Sequence, residues 1–434
     1  MTGEEIVMDV RKRLIGTALF CLMGLLTACA SGGGTEADTA GNDYRQEFTD
    51  SELEEGYASF AIADHLSIDA ELTPKELYQD GLNSYYMEDV YEEGDISDLD
   101  ASECTLFGLS QEEFVSKLSG ELGASYEWED LEWENAGEGS ALSGSIYGET
   151  GMEYTLWIHL SYGAVLQNPG ACHPELYIRE TEADEDPEYY SVYYMQQYLK
   201  DSSGECTFTD NSKEEAESWK SRIEEMTGRT LCDTWDVYAG NEENRNELVS
   251  VLEAQGDNTS EYSAMDEFMA YLFYYDIDGL PFDNLYLSYT MKDNETCTSE
   301  ARYGSSDDSS NLQAVSENAQ WVIINEDGPV RLDMDSFRYS GEIYKEDQTV
   351  ISASEILGKI ASYYDTKLLA DEVTITQMRL VYSGYFTDGA DGIIDTAICP
   401  YWKITIYDAA QGANLLFVYD AITGEVLKEA IYVT

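Results

Sequence analysis

A helix followed by several strands recurs along this chain, and that order is its strongest constraint on the fold. Ser352-Ala-Ser-Glu355 has the spacing of a capping box, in which serine and glutamate side chains satisfy backbone N–H groups at a helix start. The helix that it opens has one apolar face: Ile356, Leu357, Ile360, Ala361 and Tyr364. Four strand candidates follow at about 373–385, 398–407, 415–420 and 425–432. This block predicts a helix laid on an antiparallel sheet.

Two earlier blocks show the same order. Ser110-Gln-Glu-Glu113 is a second capping box, and its helix has the apolar stripe Phe114, Val115, Leu118 and Leu122. A strand follows, with Met152, Tyr154, Leu156 and Ile158 in alternation. The other block opens near Ser212 with Ala216, Trp219, Ile223 and Met226 on one helical face. A further helix at about 243–254 precedes strands at about 268–275, 285–289, 320–325 and 330–339. We therefore predict an α+β fold of helix-on-antiparallel-sheet units in tandem.

Thr73-Pro74-Lys75-Glu76 also has capping-box spacing, with proline at the first helical position. It predicts a helix that runs to about Met87 and buries Tyr78, Leu82, Tyr85 and Tyr86.

The N-terminal segment has the three parts of a secretory signal. The basic residues Arg11, Lys12 and Arg13 precede an apolar run that ends at Leu26, too short for a comfortable membrane span of about 20 residues. Leu26-Thr27-Ala28-Cys29 then resembles the lipobox of bacterial lipoproteins. That resemblance implies a diacylglyceryl group on Cys29, with acyl chains of the palmitate type, and a place on the outer face of a Gram-positive-type cell membrane. The alternative is an ordinary signal peptide with a chance cysteine.

The small, polar residues after Cys29 predict a flexible tether. We predict a signal peptide over 1–28, a tether over 29–50, and folded domains over 51–205, 206–345 and 346–434.

The last predicted domain ends in Asp420-Ala421-Ile422-Thr423-Gly424-Glu425-Val426, with Pro400-Tyr-Trp402-Lys-Ile-Thr-Ile406 before it as a central strand. This order resembles the PepSY-type domain of bacterial extracytoplasmic proteins; a tight hairpin with glycine at positive φ is the alternative. The wider span 212–433 resembles uncharacterised lipoproteins of Gram-positive-type bacteria and, more distantly, membrane-anchored proteins that restrain a sensor kinase. These resemblances imply binding and regulation outside the membrane, with no catalytic residues to carry over. The kinase-accessory proteins are held by a transmembrane helix, whereas a lipid is predicted here.

Acidic side chains exceed basic ones by 87 to 23, a formal net charge of −64. This excludes a nucleic-acid binder, because affinity for polyphosphate comes from Lys and Arg. Since 43% of the residues are hydrophobic, the chain should still fold. The charge predicts repulsion from anionic lipid and wall polymer, and a partner that is basic or bridged by a metal ion.

Sequence signatures of catalysis are absent. His65, His159 and His173 have no helical metal-ligand spacing, and the chain contains neither a phosphate-binding G-x-x-x-x-G-K-[ST] loop nor a G-x-S-x-G serine. Cys172-His173 is the only adjacent thiol and imidazole, and neighbours on an extended chain point apart. We therefore predict a protein that is not an enzyme and has no catalytic residues.

Six cysteines lie beyond the anchor: Cys104, Cys172, Cys206, Cys232, Cys297 and Cys399. An even number in an exported protein allows up to three disulfides, and free buried thiols are the alternative.

Two oxygen-rich loops could hold calcium, although neither matches the twelve-residue helix-flanked loop. The first contains Asp276, Asp278 and Asp283, and the second contains Asp388, Asp391 and Asp395. Ordinary turns are the alternative to both sites, so no cofactor is predicted beyond this calcium hypothesis.

Tyrosine pairs such as Tyr85-Tyr86, Tyr193-Tyr194 and Tyr274-Tyr275 could line a sugar or peptide groove. In a strand, however, adjacent side chains point to opposite faces, which predicts one buried and one exposed ring in each pair. We predict a lipid-anchored binding or regulatory protein that acts on another envelope protein. The alternative is a surface lipoprotein that captures glycans or peptides, for which a deep aromatic cleft would be expected.

Overall fold

The computed structural model describes most of the chain from residue 44 onwards. The described residues are 44–53, 56–87, 105–125, 131–135, 140–148, 152–159, 163–167, 192, 195–210, 213–255, 259, 266–283, 287–292, 296–298, 319–335, 339–388 and 394–431. These described residues belong to one compact unit.

The fold is mixed, with a large, mostly antiparallel sheet and few helices. The α-helices are α1 (Gln111–Leu122), α2 (Lys213–Thr227), α3 (Glu242–Gln255) and α4 (Ala353–Asp365), and Asp50–Glu52 and Lys75–Leu77 are single 3₁₀ turns. No helix in this described part of the chain is long and apolar enough to cross a membrane.

Strands make up most of the described elements. In the first half of the chain they are β1 (Tyr57–Ala63), β2 (Leu66–Leu72), β3 (Leu82–Met87), β4 (Thr105–Leu106), β5 (Leu109–Ser110), β6 (Glu132–Asn135), β7 (Ser140–Tyr147), β8 (Glu153–His159) and β9 (Gly163–Gln167). In the second half they are β10 (Leu231–Ala239), β11 (Met269–Ile277), β12 (Leu280–Phe282), β13 (Leu287–Lys292), β14 (Thr296–Thr298), β15 (Ala319–Asn325), β16 (Gly328–Asp335), β17 (Tyr339–Gln348), β18 (Val373–Asp388), β19 (Ile394–Asp408), β20 (Ala413–Asp420) and β21 (Val426–Ile431).

The large sheet is one hydrogen-bonded system of 19 strands, and two runs of paired strands within it, called here the first and second sheets, organise the molecule. The first sheet has the order β1-β2-β18-β19-β20-β21, in which only the β2–β18 pair is parallel. The second sheet has the order β10-β11-β15-β16-β9-β8-β7-β6 and is antiparallel throughout. The short strand β12 joins them, because it pairs with β11 of the second sheet and with β18 of the first.

Strand pairs also cross the domain boundaries predicted at 205/206 and 345/346. β9 pairs with β16, β2 pairs with β18, and β3 pairs with both β17 and β19. The three segments therefore share sheets, and their division into separate folding units stays a prediction.

Helix α4 packs on one face of the first sheet. Ser352 and Glu355 form the predicted capping box, with the Glu355 N–H donating to Ser352 Oγ at 3.3 Å. The predicted apolar face of α4 is buried, and the Tyr363 ring meets Phe417 of β20 edge-on with centroids 5.2 Å apart. The Trp402 indole N–H donates to the Ile351 carbonyl at 2.9 Å and so fixes the segment that leads into the helix. The predicted order of a helix and four strands is confirmed here.

The second sheet has helices on both faces. Trp219 and Ile223 of α2 share a core cluster with Tyr271 and Phe273, whereas Leu248 of α3 belongs to a cluster with the intervening residues of β11. Consequently both Tyr274 and Tyr275 are buried, each with 4% exposed surface, and the predicted split of this pair is wrong. The split holds for Tyr85, which is buried, and Tyr86, which is 43% exposed. Tyr193-Tyr194 lies outside the described residues.

The helix predicted from Thr73 to Met87 is wrong. Only a 3₁₀ turn forms at Lys75–Leu77, Gly81 takes a φ of 93°, and residues 82–87 form strand β3. The Thr73 hydroxyl does not cap a helix, because it accepts a hydrogen bond from the Leu380 N–H of β18 at 2.8 Å. A tertiary contact has replaced the local one that the motif suggested. The capping box at Ser110 and the helix from residue 213 agree with the prediction.

The turn between β20 and β21 approaches the start of α4 closely. The Asp420 carboxylate accepts from the N–H groups of Ile422 and Thr423, both at 2.8 Å, and Gly424 completes the turn at a φ of 68°. A Cβ added at Gly424 would lie 2.5 Å from Ile351 Cδ1 and 2.8 Å from Lys359 Cε. Glycine is therefore favoured by the backbone conformation, and an added methyl group would also force the ends of the Ile351 and Lys359 side chains to move.

We expect Gly424→Ala to lower the free energy of unfolding by about 3 kcal/mol, because the left-handed conformation and the overlap both oppose the new methyl group. Gly412→Ala is the matched control, since Gly412 has a φ of 62° but no atom within 4 Å of its added Cβ. The control should lose only about 1 kcal/mol. Urea unfolding of both variants measures the difference, and equal losses would contradict the close approach to α4.

Candidate functional site

Two ion pairs are buried where strands of the two sheets meet. The Arg379 guanidinium of β18 lies 2.6 Å from the carboxylate of Asp236 in β10, with 14% and 13% of these side chains exposed. Lys403 of β19 pairs with Asp283, which directly follows β12. Arg379 and Lys403 are directly opposed in the β18–β19 register and therefore lie on the same face of the first sheet. We call these four side chains the buried charge cluster.

Further polar groups complete this cluster. The Tyr274 hydroxyl donates to the second oxygen of Asp236 at 2.6 Å, and the Asp283 N–H donates to the Tyr382 carbonyl at 2.8 Å. Burial alone would raise the pKa of Asp236, but the charges of Arg379 and Lys403 outweigh it and hold that pKa below its ordinary value. Burial, and then the neighbouring Asp236 charge, raise the pKa of Tyr274 well above its ordinary value. Asp236 is thus an anion held between fixed donors.

A small pocket lies beside Arg379, lined by Glu71, Leu72, Thr73, Pro74, Leu77, Thr234, Gly279, Leu280 and Pro281. It contains no aromatic ring, and the carboxylate of Glu71 lies 4.0 Å from the guanidinium. Arg379 is already matched by the Asp236 and Glu71 carboxylates, so the pocket does not offer an uncompensated cation to an anionic ligand.

Sequence reasoning did not identify the buried charge cluster. Its one available signal was the placement of Arg379 and Lys403 inside strand candidates, in a chain with few basic residues. Asp236 and Asp283 carry no comparable signal among 87 acidic side chains.

The carboxylates predicted to share calcium in the first loop point to different partners. Asp283 pairs with Lys403, and Asp278 accepts hydrogen bonds from the Tyr85 and Tyr382 hydroxyls. Asp276 accepts from the Gly279 N–H at 3.2 Å, and burial raises its pKa. Within the described ranges no three His, Cys, Asp or Glu side chains form a group able to hold a metal ion. The loop is a hairpin turn between β11 and β12, and its three carboxylates do not converge.

The second calcium candidate lies at the β18–β19 connection. Asp388 and Asp395 fall at strand ends whose side chains are outside the described residues, as is all of Asp391. That site stays a prediction.

Three of the six candidate disulfide cysteines are free thiols: Cys206, Cys232 and Cys399. Burial raises the pKa of all three, to about 12 for Cys206, so these thiols are protonated and weakly nucleophilic. The Cys206 thiol donates to the Phe268 carbonyl at 3.1 Å. The side chains of Cys104, Cys172 and Cys297, like Cys29, lie outside the described residues, so pairing among them stays a prediction.

The histidines do not meet a nucleophile in the described part of the chain. His65, in the β1–β2 turn, lies 3.2 Å from Glu372 and 3.8 Å from Asp64. His159 ends β8 as predicted, with its side chain outside the described set, and Cys172-His173 is outside it entirely.

The second feature of interest is an exposed strand, β17, together with its paired neighbour β3. Six of the seven residues from Gly341 to Asp347 are exposed, so β17 is uncovered on both faces. Tyr86 of β3 meets Tyr344 of β17 edge-on, with ring centroids 5.2 Å apart, and Ile343 is 41% exposed. We call Tyr86 and residues 341–347 the β17 edge. The sequence patterns did not predict this strand beyond Tyr339, because a strand without a buried face has no apolar alternation.

No protein-family model matches the chain, and no curated protein matches it. Among solved structures, the chain is similar to the crystal structure of an uncharacterized protein from Eubacterium rectale ATCC 33656, with a TM-score of 0.50 and 16% sequence identity. The match covers 86% of this chain and 93% of the other. At this identity the likeness concerns the fold alone.

A double-mutant cycle tests the buried charge cluster. Asp236→Leu and Arg379→Met should each lower the free energy of unfolding by about 3–5 kcal/mol, because each leaves a buried charge without its partner. The double variant should lose much less than the sum, since no unpaired charge remains. Glu217→Gln is the control: Glu217 pairs with Lys213 at 3.4 Å on the exposed surface of α2, and its loss should stay below about 0.5 kcal/mol. Additive losses in urea unfolding would show that Asp236 and Arg379 are not coupled.

Proposed function

We propose that the chain is a lipid-anchored protein on the outer face of the cell membrane. In this proposal it binds and regulates another envelope protein and does not catalyse a reaction. The observation that carries this proposal is the β17 edge, where tyrosine and isoleucine side chains lie exposed among acidic ones. Exposed aromatic side chains on a protein surface are typical of protein contacts. The tether predicted over 29–50 is too long at its end, because Tyr44 is buried in the core and the Arg45 N–H donates to the Ile62 carbonyl at 3.2 Å. A lipid on Cys29 and a tether that ends before Tyr44 would hold this edge near membrane proteins.

The C-terminal elements support a PepSY-like domain within this proposal. Helix α4 is followed by the antiparallel strands β18 to β21, and the Asp420–Gly424 turn connects the last two. The resemblance of the sequence to PepSY-type domains is the reason for proposing a regulatory role. The order of one helix and four strands is consistent with that resemblance. No activity follows from this likeness.

Ligand capture is the alternative role, and the described residues favour it less. The pocket beside Arg379 has no aromatic lining, and Arg379 already has carboxylate partners. A sugar or peptide groove would instead present aromatic stacking surface with a few convergent polar groups.

The anchor is tested by metabolic labelling with an alkyne analogue of palmitate in a Gram-positive host. The full-length chain should be labelled and Cys29→Ala should not, because Cys29 is the proposed acylation site. Cys399→Ala should keep its label, since that thiol lies within the folded part with a raised pKa. Labelling of Cys29→Ala would overturn the lipid anchor.

The partner is tested by cross-linking capture from native membranes with the full-length, anchored chain. We expect an envelope protein with a basic extracytoplasmic region to be recovered at about 0.05 M salt and largely lost at about 0.5 M, because salt screens exposed charges. A glycan and peptide array, run in parallel with the same chain, tests the alternative role of ligand capture. The proposal would be contradicted if recovery of the envelope protein did not change with salt concentration. It would also be contradicted if the chain bound the array tightly and captured no protein.

A further inference from the structure

The pocket beside Arg379 lies in a gap between two strands that share one edge of β18. β2 pairs in parallel with β18 as far as Met378, and β12 pairs with it in parallel at Tyr382. β2 ends at Leu72, and Pro74, which has no N–H group to donate, follows it closely. The pocket therefore forms where one strand ends and the next begins, and its lining comes from both sheets.

The pocket is small and its walls are mostly apolar. Its volume of about 60 Å³ holds about four water-sized groups, because each takes roughly 10–15 Å³. Apolar side chains surround it: Leu72, Pro74, Leu77, Leu280 and Pro281. Leu77 is 38% exposed, so this part of the wall can be reached from solvent. A short unbranched alkyl chain fits this space, whereas a sugar ring or a peptide segment does not.

The charges beside the pocket favour a cation. The buried charge cluster contains two carboxylates and two cations, and Glu71 adds a third carboxylate. Arg379 and Lys403 each have an aspartate partner, so one negative charge is in excess. The side chain of Glu71 is 75% exposed, which places its carboxylate at the rim. A cation from solvent can therefore reach Glu71 without separating Arg379 from Asp236.

Of the two strongly basic side chains, lysine suits this arrangement better. Its four methylene groups end in a compact ammonium, whereas arginine ends in a planar fork that is matched by two parallel acceptors. One oxygen of Glu71 already faces the guanidinium of Arg379 at 4.0 Å, and an ammonium needs only the other. A lysine stem also covers apolar surface while its charged end stays near water.

We propose that this pocket binds a lysine side chain of the partner protein, with the methylene stem against Leu77 and Pro281 and the ammonium paired with Glu71. This proposal rests on the proposed function, because it names the residue type by which a basic partner is recognised. The 3₁₀ turn Lys75–Leu77 at the pocket precedes β3 in the chain, and β3 pairs with β17. One partner can therefore contact the pocket and the nearby β17 edge together.

The probe is a short peptide with blocked ends and one central lysine among glycines. Nuclear magnetic resonance measures its affinity for the full-length chain in detergent, and the affinities of peptides with norleucine, arginine or alanine in place of the lysine. We expect the norleucine peptide to bind about threefold more weakly, because an exposed ion pair is lost. The arginine peptide should also bind about threefold more weakly. The alanine peptide should bind about tenfold more weakly, because it loses the apolar stem as well.

Variants locate the binding site. Glu71→Gln should weaken the lysine peptide about threefold and leave the norleucine peptide unchanged, because it removes the charge and keeps the shape. Leu77→Ala should weaken both peptides about threefold, since it removes apolar contact. The matched controls are Glu76→Gln, at an exposed carboxylate on the same turn, and Leu368→Ala, at a leucine with 92% exposure. Neither residue lines the pocket, so both controls should bind normally. Circular dichroism and unfolding confirm that each variant is folded.

Four outcomes would overturn lysine binding in this pocket: no measurable binding of the lysine peptide, equal binding of the norleucine peptide, equal binding of the arginine peptide, or equal losses in the control variants. The proposed function fails separately, if capture from native membranes recovers no basic envelope protein. Capture should fall with the double variant Glu71→Gln/Leu77→Ala. Capture that succeeds equally with the wild-type chain and with this double variant would keep the function and reject the pocket.

Discussion

The pairing of Arg379 with Asp236 and of Lys403 with Asp283 is the interaction on which the two-sheet arrangement depends. Arg379 and Lys403 stand side by side on β18 and β19, while their acidic partners come from β10 and from the end of β12. Apolar packing has little directional preference, so the pairing of β12 with both β11 and β18 and these two charge pairs together determine how the sheets meet. Directional charge pairs in a poorly solvated site penalise any displacement that separates them. Two of the chain's 23 basic residues lie here, and each is paired with an aspartate, Asp236 in β10 or Asp283 after β12.

Elements determined by local contacts could be predicted from the sequence. The capping boxes at Ser110 and Ser352 form as expected, because both partners lie within one helical turn. Thr73 has the same spacing but its hydroxyl binds the Leu380 N–H of β18, and residues 82–87 become a strand between β17 and β19. Nothing within the segment itself indicates that distant partner. Likewise, alternation suggested one exposed ring for Tyr274-Tyr275, whereas helices on both faces of β11 bury both rings.

The candidate sites were less predictable than the fold, and for two different physical reasons. The carboxylates of Asp276, Asp278 and Asp283 are close in sequence, but each is drawn to a partner that the chain supplies from elsewhere. Acidic residues that are close along the chain therefore do not form, within the described residues, a group able to hold a metal ion. Strand β17 was not predicted beyond Tyr339 for a different reason. It buries neither face, so its sequence has no periodic apolar pattern. Long-range strand pairing with β3 determines its conformation.

The acidic excess has two distinct consequences in this molecule. Within the sheet junction it supplies the partners of Arg379 and Lys403, and there the charges are nearly balanced. On the surface it remains unbalanced, and open strand edges are ordinarily prone to pair with identical molecules. Two copies that each carry a formal net charge of −64 repel each other, which opposes pairing between exposed strands of identical chains. The same acidic excess favours a basic partner over an acidic one, so the charge that separates two copies also bears on the partner proposed above.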